Sequence, residues 1–352
     1  MSSPTGYLKG RGAQVNPPNP FHKLVHDNNP TANLDDGETL QTEYIEVHPK
    51  TMLNKVESPD IPGEWSLNPY QGCEHGCVYC YARNTHTYWG YSAGTDFEQK
   101  ILVKKDAARL VEEKISHPNW KASPLMLSGN TDCYQPAERK FGITRTILEV
   151  LWKYRHPVGI ITKNSLILRD LDILKKMAEN NLVHVSISLT TLNEDLRQVL
   201  EPRAASVQSR LLTIEKLSKA GIPVNIMFAP VIPSLNEHEI FKVAEWTSKL
   251  GARNIASTVV RLNGDVGIIF EDWLRKNFPD RADKVLNKIK NLHGGHVNDS
   301  RFGTRMRGEG NYAEIIHRQV RLARKQYFEG REIPPYNLEL YMQIKNPQLS
   351  LF

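Results

Sequence analysis

Cysteine is scarce in this chain of 352 residues: there are four, and three of them fall within eight positions, at 73, 77 and 80. Four thiols so distributed exclude a disulfide framework; in a reducing compartment such crowding belongs to metal or redox chemistry. Long apolar runs are missing too. No stretch of 18 or more apolar residues occurs, which excludes an ordinary membrane-spanning helix, and the opening MSSPTGYLKGRGAQ lacks the apolar h-region of a secretory signal. A soluble, cytoplasmic protein with no membrane partner is expected. Neither an internal repeat nor a long low-complexity tract is present. Charge is nearly balanced at +6, but residues 281–325 carry eleven Lys or Arg against four Asp or Glu, leaving −1 for the remainder. That segment is a polyanion-facing surface or a solvated helical face.

What the chain does have is a regular alternation. Residues 1–65 are rich in Asn, Pro, Asp and Gly and predict an extended arm. Short apolar runs then follow at LMLSG (125–129), VGIIT (158–162), VHVSISL (183–189), VNIMFAP (224–230) and NIASTVVRL (254–262). Between them lie helical patterns: Asp106 opens AARLVEEKI, Asp170 opens LDILKKMAEN, and LLTIEKLSKAG closes on Gly221. A first strand around Ser66 to Tyr70 completes six strand and helix units. Strands separated by helices imply right-handed crossovers and a parallel sheet, either a barrel or a doubly wound layer, with ligands at the C-terminal strand ends. Beyond residue 264 the alternation gives way to helical segments around EDWLRKNF, ADKVLNKIKNL and YAEIIHRQVRLARKQY. The expected organisation is an arm (1–65), an α/β unit (66–263), a helical basic region (264–343) and a tail (344–352).

The crowded thiols lie in NPYQGCEHGCVYCYAR, residues 68–83, at the C-terminal end of the first strand. A structural zinc site takes four ligands and an ordinary iron–sulfur cluster four cysteines. Three protein ligands leave one coordination position open, which suits a reactive metal; zinc with His75 or His86 as fourth ligand is the structural alternative. CEHGCVYC resembles the cluster loop of the radical S-adenosylmethionine superfamily, with its three-then-two spacing and an aromatic residue before the last cysteine. The resemblance implies a partial (β/α)6 TIM-like barrel over residues 66–262. It also implies a 4Fe–4S cluster on Cys73, Cys77 and Cys80, S-adenosylmethionine chelated at the open iron, and Tyr79 over the adenine. A reductase or flavodoxin-type electron donor follows from the same resemblance.

The other strand ends supply cosubstrate candidates. Ser128 to Asp132 stand where that family has a small-residue motif for the amino group, which nominates Gly129, Asn130, Thr131 and Asp132; the alternative is a turn with a helix cap. Thr162, Lys163 and Arg203 are candidates for the carboxylate, and Ser186, Ser188 and Asn225 for the ribose hydroxyls or the carboxylate. Within the superfamily, CEHGCVYCYAR, GNTDCYQPAE, ITKN with RDLDIL, and EPRAAS resemble the group of spore photoproduct lyase, in which a cysteine near the end of strand 2 donates hydrogen to a thymine lesion. Cys133 follows Asp132 rather than preceding it, a departure from that pattern. It is a candidate hydrogen-atom donor, a ligand or a buried thiol.

The terminal QLSLF, Gln348, Leu349, Ser350, Leu351 and Phe352, resembles the peptide by which bacterial polymerases and repair proteins dock on the sliding clamp. With residues 281–325 it favours a nucleic-acid substrate, most of all DNA, for repair or modification. The alternatives are a radical enzyme acting on RNA, a peptide or a small metabolite, and a non-enzymatic zinc-binding docking module.

Overall fold

The computed structural model describes residues 7–21, 41–61 and 63–345. Its strands are β1 (Glu43–Glu46), β2 (Asn54–Lys55), β3 (Trp65–Leu67), β4 (Tyr70–Gln71), β5 (Lys100–Val103), β6 (Leu125–Leu127), β7 (Val158–Thr162), β8 (Val183–Ser188), β9 (Val224–Val231) and β10 (Asn254–Val259). The main sheet runs in the order β10-β9-β8-β7-β6-β3-β2. All neighbours from β3 to β10 are parallel, and β2 alone is antiparallel, on β3. The six parallel strands and their helices form an open, partial barrel of α/β type. Among the described residues no helix is long and apolar enough to cross a membrane.

The alternation along each strand decides which side faces the helices. Val158, Ile160, Val183, Val185, Val224 and Ile226 are buried in one core with Ile147, Leu174, Ile214 and Val243 of the helices. Burying each such side chain contributes roughly 1.5–3 kcal/mol. Their neighbours Gly159, Ile161, His184, Ser186, Asn225 and Met227 are only half-buried and face the inside of the barrel.

Helix boundaries follow local chemistry, with two reassignments. Helix Val207–Lys219 ends through Gly221, at φ +80°, with Ile222 N–H donating to Leu217 O at 3.1 Å. Asn164, Asn193 and Ser206 cap their helices by accepting a backbone N–H. Asp106 and Asp170 stand at helix starts, as the sequence implies, but neither caps: Asp106 pairs with His48 at 2.7 Å, and Asp170 accepts from the Tyr134 hydroxyl at 3.0 Å.

The smaller sheet, β1-β5-β4, ties the arm to the barrel through the parallel pairing of β1 with β5. The helices Asp265–Asn277 and Ala282–Leu292 build a second core in which Phe270, Trp273 and Ile289 pack with Leu200 and with Val78 of the cysteine loop. Helix Gly310–Phe328 adds Ile316 and Val320 to the main core. The chain then crosses under the sheet. The Tyr336 ring stacks on His184 with centroids 3.8 Å apart, and its hydroxyl lies 2.9 Å from where a Cβ on Gly159 would stand. Gly159 and His184 are the second residues of their strands, so Tyr336 floors the N-terminal end of the barrel.

Candidate active site

The cysteine loop begins where β4 ends. Gly72 (φ +80°) lets the chain turn against the Lys100 carbonyl, which a Cβ would approach to 2.8 Å, and Cys73 N–H donates to Phe97 O at 2.8 Å. Val78 N–H reaches Leu200 O at 3.2 Å, and Arg203 N–H reaches His75 O at 3.2 Å, which fastens the loop to the segment that follows β8. Beneath it lies an ion pair with no exposure on either side chain: Arg83 Nη2 to Glu98 Oε1, 2.5 Å. Arg83 Nε also donates to the Cys77 carbonyl at 2.9 Å. Glu98 accepts from the arm, from Gly12 N–H at 3.0 Å and Ala13 N–H at 2.8 Å. The arm sits so close that a Cβ on Gly12 would fall 1.7 Å from Gly76 O.

All three thiols are free, Cys73 and Cys77 buried and Cys80 partly so. Burial pushes the Cys73 thiol well above its ordinary pKa, and the charges of Asp132, Cys77 and Cys80 push the same way. Cys77 is pushed up to about 12 by burial, against the pull of Lys163. Thiols that repel one another and resist ionisation alone need a multivalent cation to become ligands together. The donor set therefore fits a metal–sulfur centre. Among the described residues no three His, Cys, Asp or Glu side chains are gathered tightly around one ion-sized point. Neither histidine completes such a set: His75 Nε2 accepts from Asn164 at 3.1 Å while Nδ1 faces Asp132 at 3.4 Å, and His86 is packed between Tyr91 and Phe97.

Above the thiols stands Lys163, at the end of β7. Its Nζ lies 3.4 Å from Cys77 Sγ, 2.9 Å from the Tyr79 hydroxyl and 3.2 Å from Glu201 Oε1. Burial alone would lower its pKa, but Cys77, Glu201 and Tyr79 outweigh that and hold it well above the ordinary lysine value. Glu201, wholly buried, is held ionised by Arg210 and Lys163 against the opposing effect of burial. It also accepts from Thr190 at 2.8 Å and from the Tyr79 hydroxyl. Tyr79 is thus placed beside the thiols with its hydroxyl turned into this charge cluster.

The remaining sequence candidates divide by position. Gly129 and Asn130 are half-open at the end of β6, the Gly129 carbonyl accepting from the Tyr81 hydroxyl. Asp132 is engaged on both oxygens, by Thr162 Oγ1 at 2.8 Å and Lys163 N–H at 2.9 Å, and Thr131 donates to Tyr70 O at 2.6 Å. Arg203 pairs with buried Glu74 at 3.1 Å and donates to Thr42 Oγ1 at 3.2 Å, tying the loop to the arm. Ser188 ends β8 but is buried. Ser186 accepts from Asn225 at 3.2 Å deeper inside. Asn225 is a correction: it is the second residue of the eight-residue β9, so it lies near the floor and not at the mouth. Cys133 has no exposed surface and belongs to the main core, its backbone N–H donating to Ser128 Oγ at 2.8 Å. Sequence reasoning missed Arg83, Glu98, Arg210 and Glu74, whose partners are brought to them only by the fold.

The basic segment spends part of its charge internally. Arg305 pairs with Asp60 at 2.5 Å, Arg301 with Asp299 at 2.8 Å, and Arg324 donates to Ile255 O at 2.7 Å. Lys284, Lys290, Arg318, Arg321 and Lys325 are exposed, with no ion pair among the described residues. Gln348 to Phe352 lie outside the described residues.

An open parallel barrel carrying three free thiols on the loop after its first strand is the arrangement of a radical SAM enzyme, and the chain belongs to the Radical SAM superfamily, whose family profile matches residues 67–247. Uncharacterized protein Rv2578c of Mycobacterium tuberculosis is 32% identical over 244 residues, covering 68% of this chain and 72% of its own. Uncharacterized protein MJ0683 of Methanocaldococcus jannaschii is 27% identical over 247 residues, covering 70% and 88%. Among solved structures, a spore photoproduct lyase variant with bound AdoMet and dinucleoside spore photoproduct shares the fold, with a TM-score of 0.61 at 16% identity over 83% of this chain and 82% of that one.

Proposed function

We propose that the chain holds a 4Fe–4S cluster on Cys73, Cys77 and Cys80 and uses S-adenosylmethionine to abstract hydrogen from a nucleic acid, most of all DNA, in repair or modification. Held by these three cysteines, such a cluster would supply the electron for reductive cleavage of the cosubstrate sulfonium. The observation that carries the reading is the Lys163 ammonium 3.4 Å from Cys77 Sγ, on a loop whose three free thiols are buried at Cys73 and Cys77 and partly buried at Cys80. Ligated thiolates add negative charge to a dry site, and Lys163, itself anchored by Glu201, offsets it. Lys163 is the group offered to the cosubstrate carboxylate, with Gly129 and Asn130 at the end of the neighbouring β6 for its amino group, while Thr162 is spent on Asp132. Val78 and the second core exclude water from the back of the loop.

The nucleic-acid part rests on the excess of +7 in residues 281–325 and on the exposed cations that remain after internal pairing. Docking of Gln348 to Phe352 on a sliding clamp, and reduction by a reductase or flavodoxin-type donor, belong to the same reading. Anaerobic reconstitution is expected to give equal amounts of iron and sulfide, a broad visible band and reductive release of 5'-deoxyadenosine, all lost in Cys77→Ala. A purified protein that takes up one zinc and no iron overturns the reading. Deleting Gln348 to Phe352 is expected to abolish clamp binding; unchanged affinity removes the docking step alone.

A further inference from the structure

The end of β10 carries a cation that the fold does not use. Arg261, two residues past the strand, is half-buried and has no hydrogen bond or ion pair among the described residues. Desolvating an arginine without a partner is unfavourable, so an unpaired and partly buried guanidinium points to an anionic ligand. Arg261 is within electrostatic reach of Arg305, of Asp60, which Arg305 already engages, and of Tyr81, which directly follows Cys80, is 45% exposed and donates to the Gly129 carbonyl. The cation therefore stands on the rim shared by the cysteine loop and the end of β6.

The loop between helices Ala282–Leu292 and Gly310–Phe328 is fixed beside it. Val259 N–H donates to Met306 O at 3.1 Å and Leu262 N–H to Val297 O at 3.0 Å, so the loop lies along the backbone on both sides of Arg261. Asp60 fastens its tip, accepting from Gly303 N–H at 2.7 Å and from Arg305 Nε at 2.5 Å. On that fastened tip Phe302 is 59% exposed, with the Arg305 guanidinium 4.5 Å from its ring centroid. An exposed aromatic held rigid by its neighbours costs little entropy to stack on, and every base offers a π-face.

Resting on the nucleic-acid reading above, we infer that Arg261 and Phe302 form the lip that holds the substrate strand at the barrel mouth, the guanidinium on a phosphate and the ring against an adjacent base. Arg305, already neutralised by Asp60, holds Phe302 in place and is not a phosphate contact. The lip thus selects a strand whose base is unstacked, since a paired base keeps its face covered.

The test uses the full chain and a short single-stranded oligodeoxynucleotide, with binding followed by fluorescence anisotropy across a salt series. Arg261→Gln is expected to reduce the slope of log affinity against log salt by about 1, and Arg261→Lys to restore it. Phe302→Ala, at an exposed position that leaves folding intact, is expected to weaken binding by roughly 5- to 150-fold with the slope kept. Wild-type binding whose slope survives in Arg261→Gln overturns the lip alone. A loss of S-adenosylmethionine affinity in Arg261→Gln, with strand binding intact, assigns the guanidinium to the cosubstrate and also overturns it. No oligonucleotide binding by the wild type overturns the nucleic-acid reading and the lip with it.

Discussion

Replacing Arg83 by methionine removes one half of a pair whose two side chains have no exposed surface. Glu98 would keep its charge, the N–H donors of Gly12 and Ala13 and, at longer range, the Arg11 guanidinium. A buried charge deprived of its partner costs about 3–5 kcal/mol, a large part of the 5–15 kcal/mol that a folded domain has. With a urea slope of about 3 kcal/mol per molar, the unfolding midpoint of the metal-free protein falls by on the order of 1 M. The carbonyls of Cys77, Ala93 and Gly94 lose their donors in the same step, so the loop that carries the thiols is the part that loosens. Arg83→Met/Glu98→Gln removes both charges while leaving the arm an acceptor, and it is expected to unfold later than Arg83→Met alone. A single variant that costs less than about 1 kcal/mol, or a double variant no better than the single, refutes the reasoning.

Cys133→Ala is expected to lower thermal stability by about 1–2 kcal/mol through a small core cavity while hydrogen abstraction continues. Lost turnover at unchanged stability would restore Cys133 as a hydrogen donor. His156, buried under the Trp120 indole N–H at 3.0 Å, has its pKa lowered from 6.5 to about 4 by burial. The unfolded chain therefore binds the extra proton between about pH 6.5 and 4, and stability falls as pH falls through that window, by about 2 kcal/mol at pH 5 relative to pH 7. Comparing urea midpoints at the two pH values for the wild type and His156→Phe checks the sign; an equal acid loss in both places the effect elsewhere.

The six parallel strands were legible because each apolar run is bounded by a helix signal, and the cysteine loop because its spacing is local. The position of Lys163 at the end of β7 was legible from its place after VGIIT. Asn225 is the second residue of the run VNIMFAP, and since β9 continues through Val231 it lies at the base; an inward polar side chain on a strand does not by itself say which end of the barrel it serves. Thr131, Asp132 and Arg203 have the right chemistry for a ligand, but protein groups take up that chemistry, and only the fold supplies those groups. The same holds for Glu98, which meets Gly12 from 86 residues away. A sequence shows which side chains can make a bond and leaves open which partner is nearest.

The seating of Gly12 on Gly76 makes arm docking and thiol occupancy two binding events on one loop. Binding free energies couple reciprocally: whatever the seated arm would add to retention of the proposed metal–sulfur centre, the centre would return to the arm, in equal measure. Cleavage of a segment tracks the population in which it is released. Protease resistance at residues 7–21 is therefore expected to rise with cofactor content, a readout that needs no measurement of iron.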